Sequence, residues 1–159
     1  MLDTNASRNG RNIMKVSENP PGFLKRIAAI TYDLFLLLPV WFIAISIGMA
    51  ISWLFTGDFS SFTKNNLGFI YMELATFLFF GWFWTHGGQT LGMRAWRLKV
   101  VKEDGGQLQW SQALVRYLYA QLSWLLLGIG FLMILIDRNK LALHDKLSHT
   151  YLQMLEKES

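Results

Sequence analysis

Ile27–Ser52 reads IAAITYDLFLLLPVWFIAISIGMAIS and holds one charge, Asp33. A helix needs about 20 apolar residues to cross the hydrocarbon of a bilayer. This stretch satisfies that with room for tilt. Pro39 removes one helix hydrogen bond and permits a kink, which a membrane helix tolerates where neighbours compensate. The stretch is also too long for the apolar core of a secretory signal, so it is expected to stay as an anchor.

Working outward, a second apolar block follows at Leu67–Trp84, LGFIYMELATFLFFGWFW, again with one charge, Glu73. Its aromatic end suits a membrane interface. The loop between the blocks is short, which predicts a transmembrane helical hairpin. A third block, 117–136, carries no charge. The chain has 159 residues and only 16% charged ones, against about 25% in soluble domains. Outside the three blocks the charge content is ordinary. This map excludes a conventional soluble globule, a disordered chain and a nucleic-acid module. The net charge of +4 comes from Lys and Arg that flank the blocks, where they set topology and meet lipid headgroups. There is no Cys, so disulfides, thiolate metal sites and Cys nucleophiles are excluded. Residues 1–22 are polar and end in Pro20-Pro21-Gly22, and they read as a disordered cytoplasmic tail. Residues 156–159 read as a second short tail, leaving a membrane domain over 23–155.

Orientation follows the basic residues. Residues 1–26 carry five Lys or Arg, as do residues 85–116, while the 53–66 loop carries one. The N-terminus and the 85–116 segment are therefore expected in the cytoplasm. The third segment, 112–137, has two readings. It spans once, or it breaks at Gly128-Ile129-Gly130 into two short helices that enter and return. Arg138, Lys140 and Lys146 favour return and a cytoplasmic C-terminus. Trp96–Lys102 alternates like a strand, and Glu103-Asp104-Gly105-Gly106 is a turn signal. A small cytoplasmic β-hairpin over 95–110 is expected, with 150–155 available as a third strand. The fold class is thus an α-helical membrane protein: helices 27–52 and 67–84, a third apolar segment and a small β-hairpin.

Acids inside apolar blocks are costly, so each must be protonated, paired or beside water. Asp33 lies about 9 Å along the helix from Ile27. Arg26 is nearly two turns earlier on the same face and is its nearest expected partner. Glu73 sits toward the opposite leaflet, and two acids at different depths suit a proton or cation relay. Arg116 opens the third segment and is expected to pair with Asp33 or Asp145. His144 reads as a residue that orients Asp145. The three His lack the helical His-x-x-x-His spacing of a zinc site, and no metal or cofactor is expected. Gly87–Gly92 lacks the Gly-Lys-Ser/Thr of a nucleotide loop, and nothing resembles a nucleophile elbow. An enzyme is not expected.

Four pieces, in order across residues 22–152, carry a family resemblance. They are Arg26-Ile-Ala-Ala-Ile-Thr-Tyr-Asp33; Gly88-Gln89-Thr90-Leu91-Gly92 running into Arg97-Leu98-Lys99-Val100-Val101; Asp104-Gly105-Gly106 followed by Gln112-Ala113-Leu114-Val115-Arg116; and Leu143-His144-Asp145-Lys146-Leu147 with Thr150. Together they resemble the RDD family of small bacterial membrane proteins. The resemblance makes Arg26 the signature Arg, and Asp33 and Asp145 the two signature aspartates. It implies the bacterial inner membrane, and transport is the role usually suggested. Met93 departs from the pattern, where a basic residue often follows the Gly. Ser148-His149 stands where the family tends to have Ala-Gly. With a cytoplasmic C-terminus, Arg26, Asp33, Arg116 and Asp145 are expected to gather and neutralise one another near the inner face. The expected function is an ion- or proton-linked transporter or transport accessory that handles a monovalent cation or proton at this cluster of Arg26, Asp33, Arg116 and Asp145, with Glu73 and His144 as lesser candidates. It is expected to work as a homo-oligomer or with a membrane partner, because so few spans enclose no pathway alone. The alternative is a non-catalytic membrane adaptor that docks a partner through its cytoplasmic hairpin.

Overall fold

The computed structural model describes residues 20–64, 66–126 and 128–155. Both expected tails fall outside these residues, save 20–22. Helix α1 runs Phe23–Thr56, about 50 Å at 1.5 Å per residue. It exceeds the apolar block at both ends. It begins directly after Pro20-Pro21-Gly22 and ends at Gly57, whose φ of 69° gives the left-handed cap that stops a helix. Pro39 lies inside it without ending it. The following loop holds a four-residue helix, α2 (Ser61–Lys64), which the sequence did not announce. Helix α3, Asn66–His86, returns alongside α1. Only 17% of the apolar window of each long helix is buried. A soluble core helix would hide most of its apolar surface; these two leave theirs uncovered and are long and apolar enough to cross a membrane.

Helix α4 (Leu91–Ala95) and strand β1 (Leu98–Lys102) follow. Helix α5 (Trp110–Leu125) packs on α3, with Phe77 against the rings of Trp110 and Tyr117. Helix α6 (Ile129–Ile136) follows a turn at Gly128. Gly130 of α6 lies so close to α5 that an added Cβ would run into Ser123 Oγ and come within 3.2 Å of Leu143. Helix α6 therefore folds back, and the short helix α7 (Leu143–Leu147) packs against α5. Strand β2 (Thr150–Met154) closes the chain. The third segment is thus two helices rather than one continuous rod.

The expected β-hairpin over 95–110 does not form. The turn is present, closed by Lys102 N–H donating to the Gly106 carbonyl at 3.0 Å. After it, Leu108 drops into the core at 3% exposure, and Gln109 begins α5, its N–H donating to Gln112 Oε1 at 3.3 Å. That geometry takes the chain away from β1. The partner of β1 is β2, antiparallel, in the register Leu98↔Met154, Val100↔Leu152 and Lys102↔Thr150. The segment expected as a third strand is therefore the second of two. A compact core sits beside this sheet, where Ala29, Trp84, Met93, Val100, Ala113 and Leu152 meet.

Candidate functional site

The site begins with one carboxylate. Asp145 lies in the first turn of α7, where its Oδ2 accepts the Ala142 N–H at 3.0 Å. Acids are favoured there by the helix dipole. Arg26 Nη1 approaches Oδ2 at 2.6 Å and Arg116 Nη1 approaches Oδ1 at 2.6 Å. The Asp145 side chain is fully buried, and both guanidinium groups are almost so. Arg26 also donates to the Lys140 carbonyl at 2.7 Å and to the Pro21 carbonyl at 3.4 Å. Arg116 donates to Thr150 Oγ1 at 2.7 Å, and its guanidinium lies 5.4 Å from the ring centre of Trp84. One acid thereby ties the start of α1 to α5, α7 and β2.

His144 Nε2 lies 3.5 Å from Asp145 Oδ1. Burial pulls the imidazole down to about 3, and the two arginines add to that, against the pull of Asp145. His144 is therefore neutral at ordinary pH. Burial alone would raise the Asp145 carboxyl, but Arg116, His144 and Arg26 together outweigh it and hold the acid well below its usual range. Two guanidinium ions and one carboxylate leave this cluster one positive charge in excess.

Asp33 does not join the ion pairs, contrary to the expected contact with Arg26 or Arg116. Its Oδ2 accepts from Thr90 Oγ1 at 2.5 Å, and its Oδ1 accepts the Gly92 N–H at 2.8 Å. Thr90 is the N-cap of α4 and takes the Met93 N–H on the same oxygen at 3.1 Å. Gly is required at 92, since a Cβ there would run into the Ala29 carbonyl and lie 2.8 Å from Asp33 Oδ1. The physical reason is simple. An Arg seven residues away has an alternative acid, while the turn before α4 offers donors that nothing else satisfies. Met93, the departure noted in the sequence, points into the core at 7% exposure.

Glu73 is held by a different set. Tyr117 Oη and Gln121 Nε2 each donate to its Oε2 at 2.7 Å. Nearby, Trp41 Nε1 donates to Thr76 Oγ1 at 2.9 Å. That bond sets the register of the antiparallel α1–α3 pair and places Glu73 roughly 15 Å along the helices from Asp33. Arg26, Asp33, Glu73, Arg116 and His144 nevertheless all line one cavity of about 430 Å³, walled by α1, α3 and α5. Asp145 lies behind this wall. Among the described residues no three His, Cys, Asp or Glu side chains gather as a metal site.

Sequence reasoning gave no role to Thr90, Tyr117, Gln121 or Trp41. The signal for two of them was present. Ala113, Arg116, Tyr117, Ala120, Gln121 and Trp124 recur at helical spacing and form the inner stripe of α5. The second departure, Ser148-His149, is accommodated. His149 takes a left-handed φ of 52°, the conformation for which Gly is suited, and Ser148 Oγ lies 2.7 Å from Thr150 Oγ1.

No curated protein and no solved structure matches the chain. A family model described as the RDD family matches residues 20–149, which include every residue of the cluster and of the Asp33 and Glu73 sites. The chain belongs to the RDD family and is a membrane protein.

Proposed function

We propose that this protein is an ion- or proton-linked transporter, or the accessory of one, working at the cavity between α1, α3 and α5. The observation that supports it best is the pair of carboxylates, Asp33 and Glu73, which line one cavity at different depths and are bound only by neutral donors. In this reading the Arg26–Asp145–Arg116 cluster is the lock that holds the helices, and the two unmatched acids exchange a proton or monovalent cation. The N-terminus and C-terminus both lie in the cytoplasm of a bacterial inner membrane, and α5–α6 form a re-entrant pair. Support for this comes from the basic residues at one end of the chain fold and from the pairing of β1 with β2. So few helices enclose no continuous path, so the working unit is a homo-oligomer or a complex with a membrane partner.

Reconstitution of the purified protein into liposomes tests the autonomous version. Cation or proton flux is expected, and Asp33→Asn should abolish it while the protein still elutes as a folded species in detergent. No flux at any pH or cation gradient would sink that version. A reporter fused after Ser159 tests the orientation, and an external signal would refute it.

A further inference from the structure

The Glu73 end of the cavity has features that a bare ion does not need. Tyr117 and Gln121 both donate to Oε2, and Oε1 accepts no hydrogen bond among the described residues. Gln121 also donates to Tyr117 Oη at 2.9 Å, so the three side chains brace one another and leave one carboxylate oxygen open. Trp41, Tyr117 and Trp124 line the same cavity. Trp41 is held by Thr76, and Tyr117 by the Phe77 ring at 5.5 Å. The two cations on the wall, Arg26 and Arg116, are engaged by Asp145 and by other oxygens at the far end. The volume, about 430 Å³, falls within the roughly 300–1,000 Å³ typical of small-molecule sites.

An open carboxylate oxygen in a mostly apolar cavity that Trp41, Tyr117 and Trp124 also line, with the two arginines already paired at the far end, is complementary to one ligand chemistry. The carboxylate attracts positive charge, the aromatic faces attract cations through their quadrupoles, and the apolar walls bury a hydrocarbon body. We infer that the Glu73 end of this cavity binds a lipophilic organic cation, an ammonium or phosphonium centre carrying apolar groups. This rests on the reading of the cavity as the working site and names the class of molecule it holds.

Equilibrium dialysis of tetraphenylphosphonium against the full-length protein in detergent tests it. Saturable binding near one per chain is expected, weakened at least tenfold in Glu73→Gln and restored to within a few-fold in Glu73→Asp. Asp58→Asn, a change in the exposed α1–α2 loop, should leave binding unchanged. The anion of the same shape, tetraphenylborate, dialysed in a separate experiment, should not bind saturably, and this control needs no variant to fold. Non-saturable binding, equal binding to the native protein and Glu73→Gln, or equally tight saturable binding of tetraphenylborate would each overturn the inference. Ion flux in liposomes without any tetraphenylphosphonium binding would also overturn it while leaving the ion-linked reading standing. Specific binding without flux would uphold the ligand class and remove autonomous transport.

Discussion

Asp145 and Glu73 are both acids held by three-residue polar networks, yet the two regions are built on opposite principles. At Asp145 every oxygen meets a guanidinium, water is excluded, and the charges join elements more than 100 residues apart in sequence. At Glu73 the donors are a phenol and an amide, one oxygen remains open, and the two donors come from adjacent turns of a single helix. The first arrangement fixes a charge and cannot release it without breaking the fold. The second orients a carboxylate and leaves its charge for something else to match. Partner chemistry, rather than burial or residue type, separates a structural acid from a candidate working one.

The sharpest way to break this contrast is Asp145→Asn. It leaves two buried guanidinium groups without their counter-ion, and removing one member of a buried pair costs about 3–5 kcal/mol. Loss of the monodisperse folded species in detergent is expected, whereas Glu73→Gln should keep it. Equal behaviour of the two variants on size exclusion would erase the distinction.

Gly92→Ala should come next. The added methyl meets the Ala29 carbonyl and the Asp33 carboxylate, and overpacking of this kind costs about 1–3 kcal/mol. A drop of several degrees in the detergent melting temperature is expected, and no drop would mean that α4 and α1 are not held as close as described.

Acid should weaken the lock in two stages. Unfolded His144 binds a proton below its ordinary 6.5, whereas the folded one does so only near 3. Between those values the unfolded chain holds more protons, so stability falls as pH falls. Asp145, lowered in the fold, adds a further loss below its ordinary 3.8. Melting temperatures measured from pH 7 to pH 4 should decline, and His144→Asn should flatten that decline. An unchanged slope would show that His144 is not buried as a neutral ring.

The smallest expected effect is His149→Gly. It relieves a left-handed backbone that costs an ordinary residue roughly 1–2 kcal/mol, against about 1 kcal/mol of entropy that Gly brings to the unfolded chain. A gain of under about 1 kcal/mol is expected in denaturant titration, and a clear loss would show that the imidazole contributes through Glu103, 3.1 Å away.

Much of the fold was legible because hydrophobic length is a local property. The apolar blocks 27–52 and 67–84 lie within α1 and α3, and the Gly128 break separates α5 from α6. What failed was non-local. Alternation in 96–102 marks a strand without naming its partner, and β2 lies about 50 residues on. The local turn at Asp104-Gly105-Gly106 pointed to 107–110 instead, and only the burial of Leu108 explains why that route was not taken. Asp33 shows the same limit. Arg26 was its visible neighbour, but the Thr90 and Gly92 donors that hold it are 57 and 59 residues away. Motif resemblance marked Asp145 and Arg26 together, which spacing alone had no means to join.

The pairing of Arg26 with Asp145 also imposes an order in time. The two are 119 residues apart, and chains grow at roughly 5–20 residues per second. Arg26 therefore waits about 6 to 24 s on the ribosome before its counter-ion exists. Through that interval the first helices can enter the bilayer, but the cationic start of α1 has no matching charge. A chain that stops short of α7 never acquires one. Asp145, made late in synthesis, thus acts as a completion mark, separating chains that reach α7 from shorter ones by whether a positive charge at the base of the bundle has been neutralised.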